Sequence, residues 1–400
     1  MAHLLQDLVK FFNFDEVEID SWNFKLFHKG TALLFFIGSL VGVLSQYFGQ
    51  PISCDFKSVD RNLANDYCWI HGSSYIRPEY QLHMKCITDL EGIVSADDAP
   101  DTSYYQWVTF IMLFQAGITL FPYKIWSYLE GGLISSFGTE GRSAILLSED
   151  VKFDEEEIGG SVLLEKALFK YVKFFRSNFH HNNLYFFQFF CCEVLNYALL
   201  IFNFWITDIF LHGKFHYYGW NVLDYYWMSK ALRESSVNPF CQAFPTEVSC
   251  TVPNVGAAGG EQFHNGFCVL SQNIINEKVY LVLWFWLVFV MVLSIVNLLY
   301  RVCTICFDDL RVFLIKKRIY TRNNSDWMDS LEYVMSKCYI GDWFVLCQLR
   351  KNVNRFFFRE FVKELMMELK HRPKKSANQK VNFDDKFMED ILEREKSSEV

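Results

Sequence analysis

The chain has 400 residues and a net charge of −8, which argues against nucleic acid as its main partner. Phe, Trp and Tyr make up 18% of the residues, well above the usage of ordinary soluble domains. The aromatic residues concentrate in long uncharged stretches, as is typical of membrane proteins. The acidic N-terminal segment lacks the basic start and short apolar core of a signal peptide, so we expect the first hydrophobic stretch to remain in the mature protein.

Three stretches without Asp, Glu, Lys or Arg are long enough to cross a bilayer. They are residues 30–54, 102–123 and 279–300. A hydrocarbon core about 30 Å thick needs roughly 20 apolar helical residues. We therefore predict transmembrane helices at residues 26–48, 104–126 and 279–301.

A further transmembrane helix is predicted at residues 183–212, although this segment contains Glu193. A carboxylate near a helix centre costs about 2.5–3.5 kcal/mol on insertion scales, but each Leu, Ile, Val or Phe returns roughly 0.3–0.6 kcal/mol. Sixteen such residues favour insertion. At 100° per residue, the polar side chains fall within about 80° of one another, which predicts contact with protein or water. This polar stripe consists of Glu193, Asn196, Asn203 and Thr207.

The distribution of Lys and Arg predicts the orientation. The loops after the first and third spans carry four each, residues 124–182 between the second and third spans carry seven, and residues 301–400 carry twenty. The positive-inside rule then places both termini in the cytosol. The predicted segments outside the spans are an N-terminal segment (1–25), two extracellular loops (49–103 and 213–278), a cytoplasmic loop (127–182), a helical cytosolic domain (302–371) and a flexible tail (372–400).

This topology sorts the twelve cysteines into two equal groups. Six lie in the predicted extracellular loops, namely Cys54, Cys68, Cys86, Cys241, Cys250 and Cys268. Loops of this length bury little core, so we expect disulfides in them. Spacing alone leaves the connectivity open.

A short motif at the start of the second predicted span identifies a resemblance. Residues Tyr104, Tyr105, Gln106, Trp107 and Val108 resemble the YYQWV signature of innexins, the gap-junction proteins of invertebrates. Further stretches agree in order with the same family. They are residues 47–54, 66–70, 244–250, 268–270, 273–286 and 340–344.

The resemblance implies an all-α membrane protein with four transmembrane helices, disulfide-linked extracellular loops and a helical cytosolic domain. It implies a ring of eight innexin subunits, identical or related, around an aqueous pore in the plasma membrane. Two such rings dock between cells as a gap junction. The implied disulfides are Cys54 with Cys268 and Cys68 with Cys250. Family members usually keep two cysteines in each loop, so Cys86 and Cys241 are additional and form the third predicted pair.

Four carboxylates before the first span are candidates for a charged ring at the pore mouth, namely Asp15, Glu16, Glu18 and Asp20. Rings of carboxylates attract cations. The alternative interpretation is a solvated cytosolic surface, which is the more frequent role of a charge run.

Two features of the predicted spans concern the bending and the packing of the helices. Pro122 predicts a kink that takes part in gating, or else a static bend or helix end. Gly38 and Gly42 have the spacing that permits close contact between helices, although glycines are also common in membrane helices.

Other classes of protein fit the sequence less well than a docking channel. An undocked hemichannel that releases small metabolites such as nucleotides is the nearest alternative. A tetraspanin-like scaffold also has four spans, but its Cys-Cys-Gly loop motif is missing here. We find no catalytic motif and no metal motif in the sequence, and we predict neither an enzyme nor a cofactor.

Overall fold

The computed structural model describes residues 17–57, 59–72, 74–75, 103–132, 134, 157–255, 259–319, 325–353 and 355–370. The chain divides into two compact units, residues 1–133 with 184–307 (the first unit) and residues 134–183 with 308–400 (the second unit). Several predicted features lie outside the described residues, namely Asp15, Glu16, Cys86 and the tail at 372–400.

Helices dominate the described residues. In chain order they are α1 (Trp22–Phe48), α2 (Arg61–His71), α3 (Val108–Thr119), α4 (Phe121–Glu130), α5 (Glu157–Ser177), α6 (Asn183–Phe210), α7 (Tyr218–Trp227), α8 (Lys230–Ser235), α9 (Pro239–Ala243), α10 (Ser271–Cys306), α11 (Asp308–Ile319), α12 (Ser325–Met335), α13 (Ile340–Asn352) and α14 (Arg355–Lys370). Four segments are long and apolar enough to cross a membrane: α1, α3 with α4, α6, and α10. The predicted helical class is therefore confirmed.

Helix α10 extends beyond the predicted residues 279–301 at both ends. At its start, Gln272, Asn273 and Asn276 are buried and bonded to one another or to the backbone of Pro245. Because these polar groups have protein partners, the helix continues past the apolar stretch that the sequence marks.

The second span is divided two residues before Pro122. Helix α3 ends at Thr119, and Pro122 lies in the first turn of α4, where a missing N–H costs no intrahelical bond. The structure therefore places Pro122 at a helix start after a break at Leu120. A role of this break in gating stays a prediction.

Helix α1 packs closely on α3 at the two glycines. A Cβ on Gly38 would lie 3.0 Å from the Met112 sulfur, and one on Gly42 would lie 2.5 Å from Cγ2 of Thr109. Ser39, between them in sequence, donates a hydrogen bond of 2.9 Å to the carbonyl of Thr109. The contact at Gly42 thus leaves no room for a Cβ while α1 and α3 keep this approach.

We expect Gly42→Ala to destabilise the assembled protein by about 1–3 kcal/mol, because the added methyl group overpacks a buried contact. Thr109→Ser removes the methyl group that the new Cβ would meet. The double variant should therefore recover most of the loss, measured as the thermal midpoint in detergent. If Gly42→Ala alone leaves the midpoint unchanged, α1 and α3 do not approach as described.

A four-stranded antiparallel sheet was not predicted from the sequence. Its strands are β1 (Ser53–Asp55), β2 (Ser74–Tyr75), β3 (Glu247–Val255) and β4 (Glu261–Val269), in the order β1-β4-β3-β2. The first loop supplies the two edge strands, and the second loop supplies the central hairpin. Short segments from the two loops thus supply the hydrogen-bond partners of each other's backbone N–H and C=O groups.

The second unit has an aromatic core of its own. Phe175 and Tyr171 of α5 pack on Phe361 of α14. Asp342 is fully buried and accepts hydrogen bonds from the backbone N–H of His180 and from the side chain of Asn182. This carboxylate therefore fixes the residues before α6 to the start of α13.

Candidate functional site: the linked loops and the buried polar stripe

Two disulfides link the first loop to the second. Cys54 of β1 bonds Cys268 of β4, its direct partner in the strand register. Cys68 of α2 bonds Cys250 of β3. All four cysteines are buried, and the bonds join the pairs that the family resemblance implies. The two loops therefore form one covalently closed body.

Cys241 is disulfide-bonded too, while Cys86, its predicted partner, lies outside the described residues. The remaining six cysteines are free thiols, namely Cys191, Cys192, Cys303, Cys306, Cys338 and Cys347. None of the six belongs to the predicted extracellular loops. The sulfurs of Cys54, Cys68 and Cys268 lie close enough for a metal site, but disulfide sulfurs are not thiolate ligands.

The signature residues attach this body to the second span. Tyr105 is fully buried, and its hydroxyl donates to the carbonyl of Cys68 at 3.5 Å. Gln106 donates to the carbonyl of Trp69, and Tyr104 donates to the carbonyl of Ala243 at 3.0 Å. The motif therefore connects both loops to the start of α3.

The last two signature residues differ in exposure. Val108 is buried at the first position of α3, whereas 61% of Trp107 is exposed. The motif therefore presents Trp107 outward and buries Tyr105 and Val108, while Tyr104 and Gln106 are partly buried.

The polar stripe of α6 lies against other helices. Glu193 is 4% exposed and forms a bidentate ion pair with Arg301 of α10, with Nε–Oε2 at 2.7 Å and Nη2–Oε1 at 2.9 Å. Ser21 donates a further hydrogen bond to Glu193 at 3.2 Å. The carboxylate thus joins α6, α10 and the segment before α1.

The C-terminal part of the stripe bonds to the second span. Gln115 of α3 donates to the hydroxyl of Thr207 at 2.8 Å and to the carbonyl of Asn203 at 3.1 Å. Asn196 is buried as well. None of the four stripe residues faces outward from the helices, as expected for polar groups in lipid-spanning segments.

The segment before α1 is packed against the helices from Val17 onwards. Asp20, predicted as a pore-mouth charge, is 2% exposed and lies 3.6 Å from Nε2 of the buried His28. Because Asp20 is buried, it is not one of the carboxylates exposed to water. Glu18 keeps 49% of its side chain exposed and pairs with Lys25 at 3.0 Å. Trp126 of α4 donates to the carbonyl of Ile19 and so fixes the same segment.

Three important side chains escaped prediction, namely Gln115, Arg301 and His28. In the sequence, Arg301 counts as the first basic residue after the uncharged stretch of the fourth span, but it is 6% exposed. Gln115 is an amide in an otherwise apolar stretch, and this position in the sequence indicates that its side chain needs a protein partner. His28 stacks on Tyr123 at 4.4 Å between ring centres, and we see no sequence signal for this contact.

These observations define a class of protein. Four membrane-competent helices are joined by loops that disulfides close into one body, and a buried ion pair, Glu193 with Arg301, joins two of these helices. This is a four-span membrane protein with covalently linked loops.

Comparison with known proteins identifies the family. The Innexin family model matches residues 20–369. The chain is 31% identical to Innexin inx2 of Drosophila melanogaster, covering 89% of this chain and 92% of that protein. It is 32% identical to Innexin inx2 of Schistocerca americana (89% and 94%) and 29% identical to Innexin shaking-B of Drosophila melanogaster (92% and 94%).

The chain therefore belongs to the innexin family. Innexins are membrane proteins that form gap-junction channels from oligomers of subunits, and the family is not enzymatic. The predicted channel function is thus confirmed at the level of the family.

Proposed function

We propose that this subunit assembles into a ring of eight that docks through its linked loops onto a ring of the neighbouring cell. The observation that carries this proposal is the covalent closure of two loops into one sheet. Disulfides persist in oxidising compartments, so the linked loops belong outside the cell. Because both loops would then share one side of the membrane, an arrangement of four spans supports a cytosolic position for both termini.

The hairpin of β3 and β4 provides the docking surface. Glu261, Gln262 and Phe263 at the start of β4 are exposed, with 67% of Phe263 accessible. The two disulfides tie the base of the hairpin, at Cys250 of β3 and Cys268 of β4, to the first loop. A surface with a covalently held base loses less conformational entropy on docking.

Electron microscopy of the purified protein in lipid tests the ring and the docking together. We expect eight subunits per ring and pairs of rings joined at the loops, with junctional current between paired cells. Single rings combined with dye release from isolated cells would show an undocked hemichannel instead. A different subunit number would overturn the octameric ring. Docking is tested separately, by whether rings are joined in pairs.

A separate prediction concerns the charge at the pore mouth. Asp15, Glu16 and Glu18, repeated around a ring, should create a negative potential that favours cations. Replacing the three with Asn, Gln and Gln should shift the reversal potential in a salt gradient towards anions. The shift should shrink at high salt, because the screening length falls from about 8 Å at physiological ionic strength to about 3 Å at 1 M.

The matched control for this prediction is Lys25→Gln, which removes the cation paired with Glu18. It should shift the reversal potential in the opposite direction. If the triple variant conducts with an unchanged reversal potential at low salt, the carboxylates lie outside the ion path and form a solvated surface.

A further inference from the structure

Helix α7 presents an aromatic face that no described part of its own unit covers. At 100° per residue, Trp220, Leu223 and Trp227 fall within about 60° of one another. Their exposed fractions are 64%, 37% and 84%. The opposite face, with Tyr218, is buried. One face of α7 is thus packed against its own unit, and the opposite face is exposed.

The buried face of α7 is fixed to the fourth span at a definite level. Tyr218 donates a hydrogen bond to the carbonyl of Glu277 at 3.0 Å, and burial, followed by the charge of Glu277, raises the pKa of the Tyr218 hydroxyl. Gly219 lies directly against the ring of Trp284, where a Cβ would clash. Trp284 in turn donates to the carbonyl of His216 at 3.1 Å.

These contacts locate α7 relative to the apolar part of α10. The uncharged stretch begins at Val279, directly after Lys278. Trp284 lies five residues farther, which is about 8 Å along a helix. Helix α7 therefore packs across the level at which α10 passes from charged to apolar residues. That level is where the hydrocarbon core of a bilayer meets the headgroups.

The exposed face of α7 has the composition that suits this depth. Trp and Tyr are enriched at membrane interfaces because their rings are apolar and carry a polar N–H or O–H. Asp224 is exposed at the edge of the same face, which fits headgroups and would be costly in hydrocarbon. At the same level of α10, Val282 and Phe285 are also exposed, as expected for a helix that enters the apolar part of a bilayer.

We infer that α7 lies on the bilayer surface, with Trp220 and Trp227 at the headgroup level of the leaflet beside the linked loops. This inference rests on the assignment of the four long helices to the membrane, and it does not depend on docking. Through α8 and α9, the chain leads from α7 directly into β3. The lipid-bound helix would therefore set the height of the docking hairpin above the membrane.

Photocrosslinking tests the inference in the full-length protein. Benzoylphenylalanine is introduced in place of Trp220 or Trp227, exposed aromatic positions that tolerate a ring of this size. The protein is reconstituted in phosphatidylcholine nanodiscs and irradiated, and adducts are identified by mass spectrometry. The matched controls are Phe289, half exposed within the fourth span, and Phe263, exposed on the hairpin.

We expect lipid adducts at Trp220, Trp227 and Phe289, and none at Phe263. Adducts with a second subunit at both tryptophans would overturn the inference, since the face would then be covered by the neighbour in the ring. Absence of any adduct at both tryptophans, with lipid still attached at Phe289, would overturn it in favour of a water-facing helix. Loss of the adduct at Phe289 as well would refute the membrane assignment on which it rests. Ring formation and docking are scored independently by electron microscopy of the same sample.

Discussion

Replacing Glu193 with leucine is expected to prevent assembly of working channels, even though the change makes α6 more apolar. The reason is Arg301, which is buried and would lose both of its hydrogen bonds to the carboxylate. Breaking a buried ion pair by removing one partner typically costs about 3–5 kcal/mol. The loss should appear as a lower thermal midpoint and as subunits that run below the size of the ring in gel filtration.

The double variant Glu193→Leu with Arg301→Met should recover most of this stability, because both charges leave the interior together. Its channels should nevertheless differ from wild type in gating, since Ser21 loses its bond to Glu193 and the segment before α1 loses one attachment. Lys363→Met is the matched control. It breaks a partly exposed pair with Glu360, which is worth about 0–1 kcal/mol. An unchanged midpoint in Glu193→Leu would show that Arg301 is not its partner.

Loss of the bond between Cys68 and Cys250 is expected to abolish junctional current. This disulfide joins α2 to β3 across 182 residues of sequence, and both sulfurs lie in the core of the linked loops. Removing a native disulfide typically costs about 2–5 kcal/mol. Cys68→Ala and Cys250→Ala should each eliminate coupling between paired cells, measured by dual voltage clamp, with surface delivery followed by biotinylation.

The double variant of Cys68 and Cys250 should be no worse than either single change, because all three remove the same bond. Cys303→Ala alters an exposed free thiol outside the loops and should leave coupling intact. Normal coupling in Cys68→Ala would contradict the prediction. Peptide mapping without reduction that joins Cys54 to Cys68 would contradict the pairing itself.

The four helices were predictable because the signal is local. A helix that crosses lipid must form its backbone hydrogen bonds internally and avoid charged side chains over about 20 residues. Both requirements concern consecutive residues. The same applies to the polar stripe, since a helical period of 3.6 places Glu193, Asn196, Asn203 and Thr207 on one face regardless of the rest of the fold.

By itself, then, the sequence determined the number of spans, the two groups of cysteines and the need for partners along one face of α6. Only the tertiary structure decided which partners these are. Arg301 meets Glu193 across 108 residues, and Gln115 meets Thr207 across 92. Asp20 and Glu18 look alike in the sequence, yet one is buried and the other exposed. The sheet could be recognised only in the tertiary structure. Strands β1 and β2 are too short to be predicted alone, because their hydrogen-bond partners come from the hairpin of the second loop.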